Sequence, residues 1–209
     1  MKTSISARAL TGSAFPQDRA VVADAPSAHP HRHGAWTIAL HWASAAAIVV
    51  AFTAILVHQA VEDKALRLVL INVHRQAGLL VMVALVLRLG VRFTQGMADF
   101  TRDMPPLLHL AAKGAHAALY GALLALPVLG WATSNAHGVQ LKLFGLLQLP
   151  MLVADDPDLA DTLSDWHAWA AWGLLALVVA HVAAACWHHW VRRDGVLAAM
   201  LPLVQPRKR

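Results

Sequence analysis

Charge is scarce in this chain. Charged residues make up 14% of its 209 positions against 58% hydrophobic, with a mean hydropathy of +0.52. A soluble domain of this size carries about 25% charge. So few charges cannot cover a water-exposed surface, which implies embedding in a bilayer. Cysteine is nearly absent. The single Cys186 excludes an internal disulfide, an iron–sulfur cluster and a Cys-based zinc site. Carboxylates are almost missing from the apolar runs. That weighs against a proton relay or metal-transport path, because such paths recruit membrane carboxylates. Residues 1–33 lack the apolar core of a secretory signal. Rich in Ala, Ser, Pro, Arg and His, they read as a disordered tail, and His29, His31 and His33 belong to that low-complexity stretch.

What is present is histidine, thirteen of them. Cofactor chemistry is therefore directed towards imidazole. Basic residues are also in excess, with a formal net charge of +5. They bracket apolar segments instead of forming a recognition stripe, which excludes nucleic acid as the partner and assigns them to membrane orientation.

Four apolar segments stand out, at about 36–57, 68–93, 107–131 and 166–191. Each exceeds the roughly 20 residues that cross a bilayer. Trp36, Trp42, Trp131, Trp166, Trp169, Trp187 and Trp190 cluster at their ends, where amphipathic rings favour the headgroup layer. Pro127 inside the third is tolerable because neighbouring helices can satisfy the freed carbonyl. The expected fold is all-α: an integral membrane four-helix bundle spanning 34–205 behind the tail. Arg88, Arg92, Arg102, Arg192 and Arg193 lie on one side together with the basic termini. The other side mixes Lys64, Arg67 and Lys142 with a run of aspartates from Asp155 to Asp165. The positive-inside rule then places both termini in the cytoplasm, and the first and third loops in the periplasm of a Gram-negative host. The stretch GVQLKLFGLLQLP in the third loop is too short to span and reads as a short interfacial helix or lid.

His41, His74, His167 and His181 lie within or at the mouths of these runs. Polar groups in lipid are costly and ask for a function. Alternating helix direction sets His74 level with His167, and His41 level with His181. Fourteen residues separate His167 from His181. That is close to four turns, so the two share a helix face roughly 21 Å apart. Each singly is compatible with a hydrogen-bonded core histidine. Four paired by depth on three helices suit two cofactors stacked across the membrane, each gripped between the fourth helix and a different partner. Neutral imidazole on both axial positions is a usual ligation of haem iron. Gly78, one turn beyond His74, leaves room for a flat macrocycle or simply a close helix contact.

The pieces ALHW, INVHRQAGLL, AHAALYGALLALPVLGW and WHAWAAWGLLALVVAHVAAACWHHW resemble the bacterial di-haem cytochrome b561 family, specifically its superoxide:ubiquinone oxidoreductase type. The resemblance runs from about Trp36 to Pro202. It implies two b haems, with His41 and His181 as metal ligands on the cytoplasmic side and His74 and His167 on the periplasmic side. It also implies a ubiquinone near the cytoplasmic face, and His116 and His188 fall on quinone-side positions.

The resulting expectation is an inner-membrane, multi-pass oxidoreductase. Superoxide gives up an electron at the periplasmic face, and ubiquinone is reduced at the other. Arg67, Arg75 and Lys142 are the cations placed to attract the anion. The competing expectation is a cytochrome b electron-transfer subunit linking the quinone pool to a periplasmic redox partner docked on the acidic loop. A haem-free transporter or structural membrane protein is the third.

Overall fold

A computed structural model describes residues 34–95, 106–194 and 196–201. The expected tail at 1–33, with His29, His31 and His33, lies outside the described residues. Helix α1 spans Ala35–Ala60, α2 Lys64–Gln95, α3 Pro106–Ala136 and α4 Pro157–Trp187. All four are long and apolar enough to cross a membrane. Large apolar side chains such as Leu68, Val86, Leu110 and Val179 are exposed on the outside, where lipid would meet them. The chain is a multi-pass membrane protein.

Helix α1 packs along α2, α3 along α4, and α2 against α3. Ala47 and Ala54 of α1, and Ala77 and Ala84 of α2, are buried. Each pair is seven residues apart, so small side chains form a seam where backbones approach closely. Midway along the bundle Ala47, Val81, Leu85, Leu123, Leu126 and Leu174 form one buried apolar cluster drawn from all four helices. Leu174 stands seven residues from both His167 and His181. The cluster therefore divides the two histidine levels.

The chain between α3 and α4 departs from expectation. No helix forms over GVQLKLFGLLQLP. Strands β1 (Lys142–Leu143) and β2 (Leu147–Gln148) pair antiparallel instead. The turn has positive φ at Phe144 and Gly145, and a third left-handed residue, Gly138, opens the loop. These three positions interrupt any helix, and Val139, Leu141 and Leu143 alternate with polar residues at the period of a strand. The described residues are thus helical with one small hairpin. Asn135, fully buried, ties down both ends of the loop: its amide nitrogen donates to the Val139 carbonyl at 3.0 Å, and its oxygen accepts from Leu152 N–H at 2.8 Å.

Helix α4 also begins earlier than its apolar run. Asp156 accepts from Leu159 N–H at 3.1 Å as the N-cap, and Pro157 takes the first helical turn. Asp158, Asp161 and Asp165 accordingly sit on the first turns of α4, not in the loop. Hydropathy marks where a helix enters lipid, whereas the cap marks where it starts. Both chain ends of the described bundle lie together, since Trp42 Nε1 donates to the Met200 carbonyl at 2.8 Å. The bundle has a hairpin end and a termini end.

Candidate functional site

His74 of α2 and His167 of α4 face each other towards the hairpin end, ring centroids 5.9 Å apart and planes at 80°. His74 Nδ1 donates to the Ala51 carbonyl of α1 at 2.9 Å. That bond fixes the tautomer and leaves the lone pair on Nε2, the arrangement common among metal-ligating histidines. His167 Nδ1 is buried and has no hydrogen-bond partner. A buried polar atom left so costs about 1–3 kcal/mol. Gly130 of α3 backs the ring closely: a Cβ there would come within 3.0 Å of His167 Cε1.

Towards the termini end His41 of α1 and His181 of α4 lie 6.3 Å apart, planes at 59°. His116 of α3 approaches the same His181 at 5.6 Å. Its Nδ1 donates to the Ala112 carbonyl one turn earlier, at 2.8 Å. His181 is thus flanked by two imidazoles, where the sequence placed one beside it and the other nearer the quinone.

Two metal–nitrogen bonds of about 2 Å, with about 1 Å from nitrogen to ring centre on each side, set paired imidazole centroids about 6 Å apart. The His74–His167 and His41–His181 pairs match that span, and His116–His181 falls slightly short of it. The rings meet across the face where α4 makes no extensive backbone packing with α1 or α2. Half-buried Gly78, one turn beyond His74, would place a Cβ with nothing within 4 Å. Among the described residues no three of His, Cys, Asp or Glu converge as a metal cluster. Facing pairs of imidazoles with adjoining space fit a flat, iron-centred macrocycle better than a bare ion.

At the hairpin end Arg75 and Lys142 line one cavity of about 250 Å³, with Asn72, Gln76 and Gln140. Gln76 holds the hairpin over α2: its Nε2 donates to the Lys142 carbonyl at 2.9 Å, and its Oε1 accepts from Phe144 N–H at 2.8 Å. Arg67 stands apart, in a second cavity with His58, Lys64, Leu68 and Ile71. The three cations therefore do not form one set. Of the acidic residues here, Asp156 is occupied as a helix cap.

At the termini end His188 Nδ1 donates to Asp194 Oδ2 at 2.5 Å. Sequence reading singled out His188 and missed Asp194. A histidine and an aspartate six apart do not share a helix face, so no periodic signal marks them. Arg88 and Arg92, read only as orientation charges, stack over the Tyr120 ring at 5.4 and 5.5 Å.

The family model described as prokaryotic cytochrome b561 matches residues 32–203. Cytochrome b561 homolog 2 of Escherichia coli (strain K12) is 31% identical over 183 residues, covering 82% of this chain and 92% of that protein. Cytochrome b561 homolog 1 of the same strain is 27% identical, over 79% and 94% respectively. The probable superoxide oxidase CybB of Yersinia pestis is 25% identical, over 79% and 93%.

Proposed function

This chain belongs to the prokaryotic cytochrome b561 family, and we propose that it oxidises superoxide at the hairpin end and reduces ubiquinone at the termini end. The family establishes a membrane electron-transfer protein that holds haem b. The finer reading is two b haems in the inner membrane, hairpin end periplasmic and termini cytoplasmic. His74 and His167 would hold the outer haem, and His41 and His181 the inner.

One observation carries this reading: two imidazole pairs at two depths, each joining α4 to a different helix, 5.9 and 6.3 Å between centroids, with an apolar layer between them. Bound haem supplies reversible one-electron chemistry. The protein's own groups do the rest. Arg75 and Lys142 draw an anion to the mouth of the outer site. The central cluster of Ala47, Leu85, Leu123 and Leu174 keeps water from joining the two levels. His188 and His116 hold the quinone oxygens by hydrogen bonds. Two superoxide anions, one ubiquinone and two protons give two dioxygen molecules and one ubiquinol. The similarity to a probable superoxide oxidase supports the choice of donor.

The test is direct. Purified, haem-loaded protein given a superoxide source and ubiquinone should form ubiquinol without any partner. A colourless preparation from a haem-replete host would remove every redox reading.

A second reading draws on the exposed aspartates Asp158, Asp161 and Asp165 at the start of α4. They would dock a basic periplasmic redox partner, making the chain an electron-transfer subunit. Fully loaded protein that reduces quinone only when such a partner is added would establish it.

A further inference from the structure

We propose that Asp194 is a positioning residue that sets His188 as the proton donor to the quinone, a role that rests on quinone being reduced at the termini end. The geometry is unusual for residues so close in sequence. On a regular α-helix six residues advance about 9 Å and turn about 240°, so the two side chains would point apart. Here α4 ends at Trp187 and the next turn, His188–Arg192, is a π-helix. Arg193 then takes a left-handed conformation with φ 53° and folds the chain back. Across these two departures the carboxylate comes onto the ring.

The carboxylate is itself anchored. Oδ2 accepts from His188 Nδ1 at 2.5 Å and lies 3.6 Å from Arg192 Nε, while Oδ1 accepts from Val196 N–H at 3.3 Å. With Asp194 ionised, Nδ1 must carry a hydrogen, so Nε2 is the nitrogen left for exchange. His188 directly follows the last residue of α4 and keeps helical dihedrals, so it lies seven residues and about 10 Å beyond His181, near the same face. The two side chains are 19% and 28% exposed, open enough to exchange protons with water and covered enough to keep one geometry.

The chemistry balances. Superoxide is oxidised and supplies two electrons in two events, and the quinone is reduced. For each proton, the Nε2–H bond of the protonated ring breaks and an O–H bond forms on the quinone. The ring is left neutral, its Nδ1–H still donated to the Asp194 carboxylate. Water on that side restores the Nε2 proton before the second transfer. An amide at position 194 offers a donor towards the ring as readily as an acceptor, which releases the tautomer and misplaces the reactive nitrogen.

The experiment uses chemically pre-reduced, fully haem-loaded protein mixed anaerobically with a short-chain ubiquinone. The loss of reduced-haem absorbance is followed for wild type, Asp194→Asn and Asp194→Glu. The Asn variant should keep both haems but reoxidise at least about tenfold more slowly, and the Glu variant should recover most of the rate. Nitrogen NMR of the ring should show the Nδ1–H tautomer in wild type and lose it in the Asn variant. Asp194→Ser replaces Asp194→Asn if the latter does not retain haem. Wild-type protein that quinone cannot reoxidise would sink the underlying quinone reading. A wild type that reacts alongside an Asn or Ser variant that reacts equally fast, or a Glu variant no better than Asn, would overturn the role of Asp194 alone.

Discussion

The imidazole of His167 occupies the space that a side chain on Gly130 would need: a Cβ there would lie 3.0 Å from Cε1 and 3.4 Å from Nδ1. The glycine is required by a neighbour on another helix, not by its own backbone. Gly130→Ala should push the ring out of line at a cost of about 1–3 kcal/mol. The expected outcome is a protein that folds but binds haem at the hairpin end about tenfold or more weakly, seen as a fall in haem-to-protein ratio on dilution. Full occupancy with an unchanged spectrum would show that this ring can shift freely.

Removal of single histidines separates the ligand pairs. His74→Ala and His167→Ala should delete the same spectral component, and His41→Ala and His181→Ala the other. Each should take the haem content from about two per chain to about one, since two axial ligands act as a unit. His116→Ala is the discriminating variant, because its ring is nearer His181 than that of His41. It should retain both haems and slow quinone reduction. Loss of the inner haem in His116→Ala, with retention in His41→Ala, would exchange their roles.

Gln76→Ala removes both hydrogen bonds that hold the hairpin on α2. At about 0.5–1.5 kcal/mol each, their loss should free the hairpin locally without unfolding the bundle. Amide exchange across residues 141–149 should quicken. Reduction of the protein by superoxide should slow, while reoxidation by quinone stays as in wild type.

Arg75 and Lys142 share a cavity from which Arg67 is absent. Arg75→Gln with Lys142→Gln should lower the rate of reduction by superoxide several-fold, and Arg67→Gln should lower it less. The wild-type rate should fall as salt rises, because attraction across about 8–10 Å is screened at physiological ionic strength. The double variant should be nearly indifferent to salt. Equal effects of all three substitutions would mean that overall charge at this end matters, not the cavity.

Much of this molecule was legible before any coordinates. Four spans follow from apolar length, and the depth of each histidine follows from helix direction. His167 and His181 share a face because fourteen residues nearly close four turns. The hairpin was missed although its signals were present: alternating Val139, Leu141 and Leu143, with glycines at 138 and 145. An apolar run near a membrane surface favoured the helical reading over the period of two. The start of α4 was likewise marked by Asp156–Pro157, outside the hydrophobic stretch that drew attention.

By itself the sequence determined the number of crossings and the levels at which imidazoles lie, because span length and rotation per residue are properties of one helix. Only tertiary structure decided which side chains meet across helices and turns. The placing of His116 against His181, the joining of Lys142 to Arg75 without Arg67, and the return of Asp194 to His188 depend on the paths of α3, the hairpin and the final π-turn. Those paths are fixed by contacts between segments distant in the chain and by backbone turns that no periodic pattern encodes.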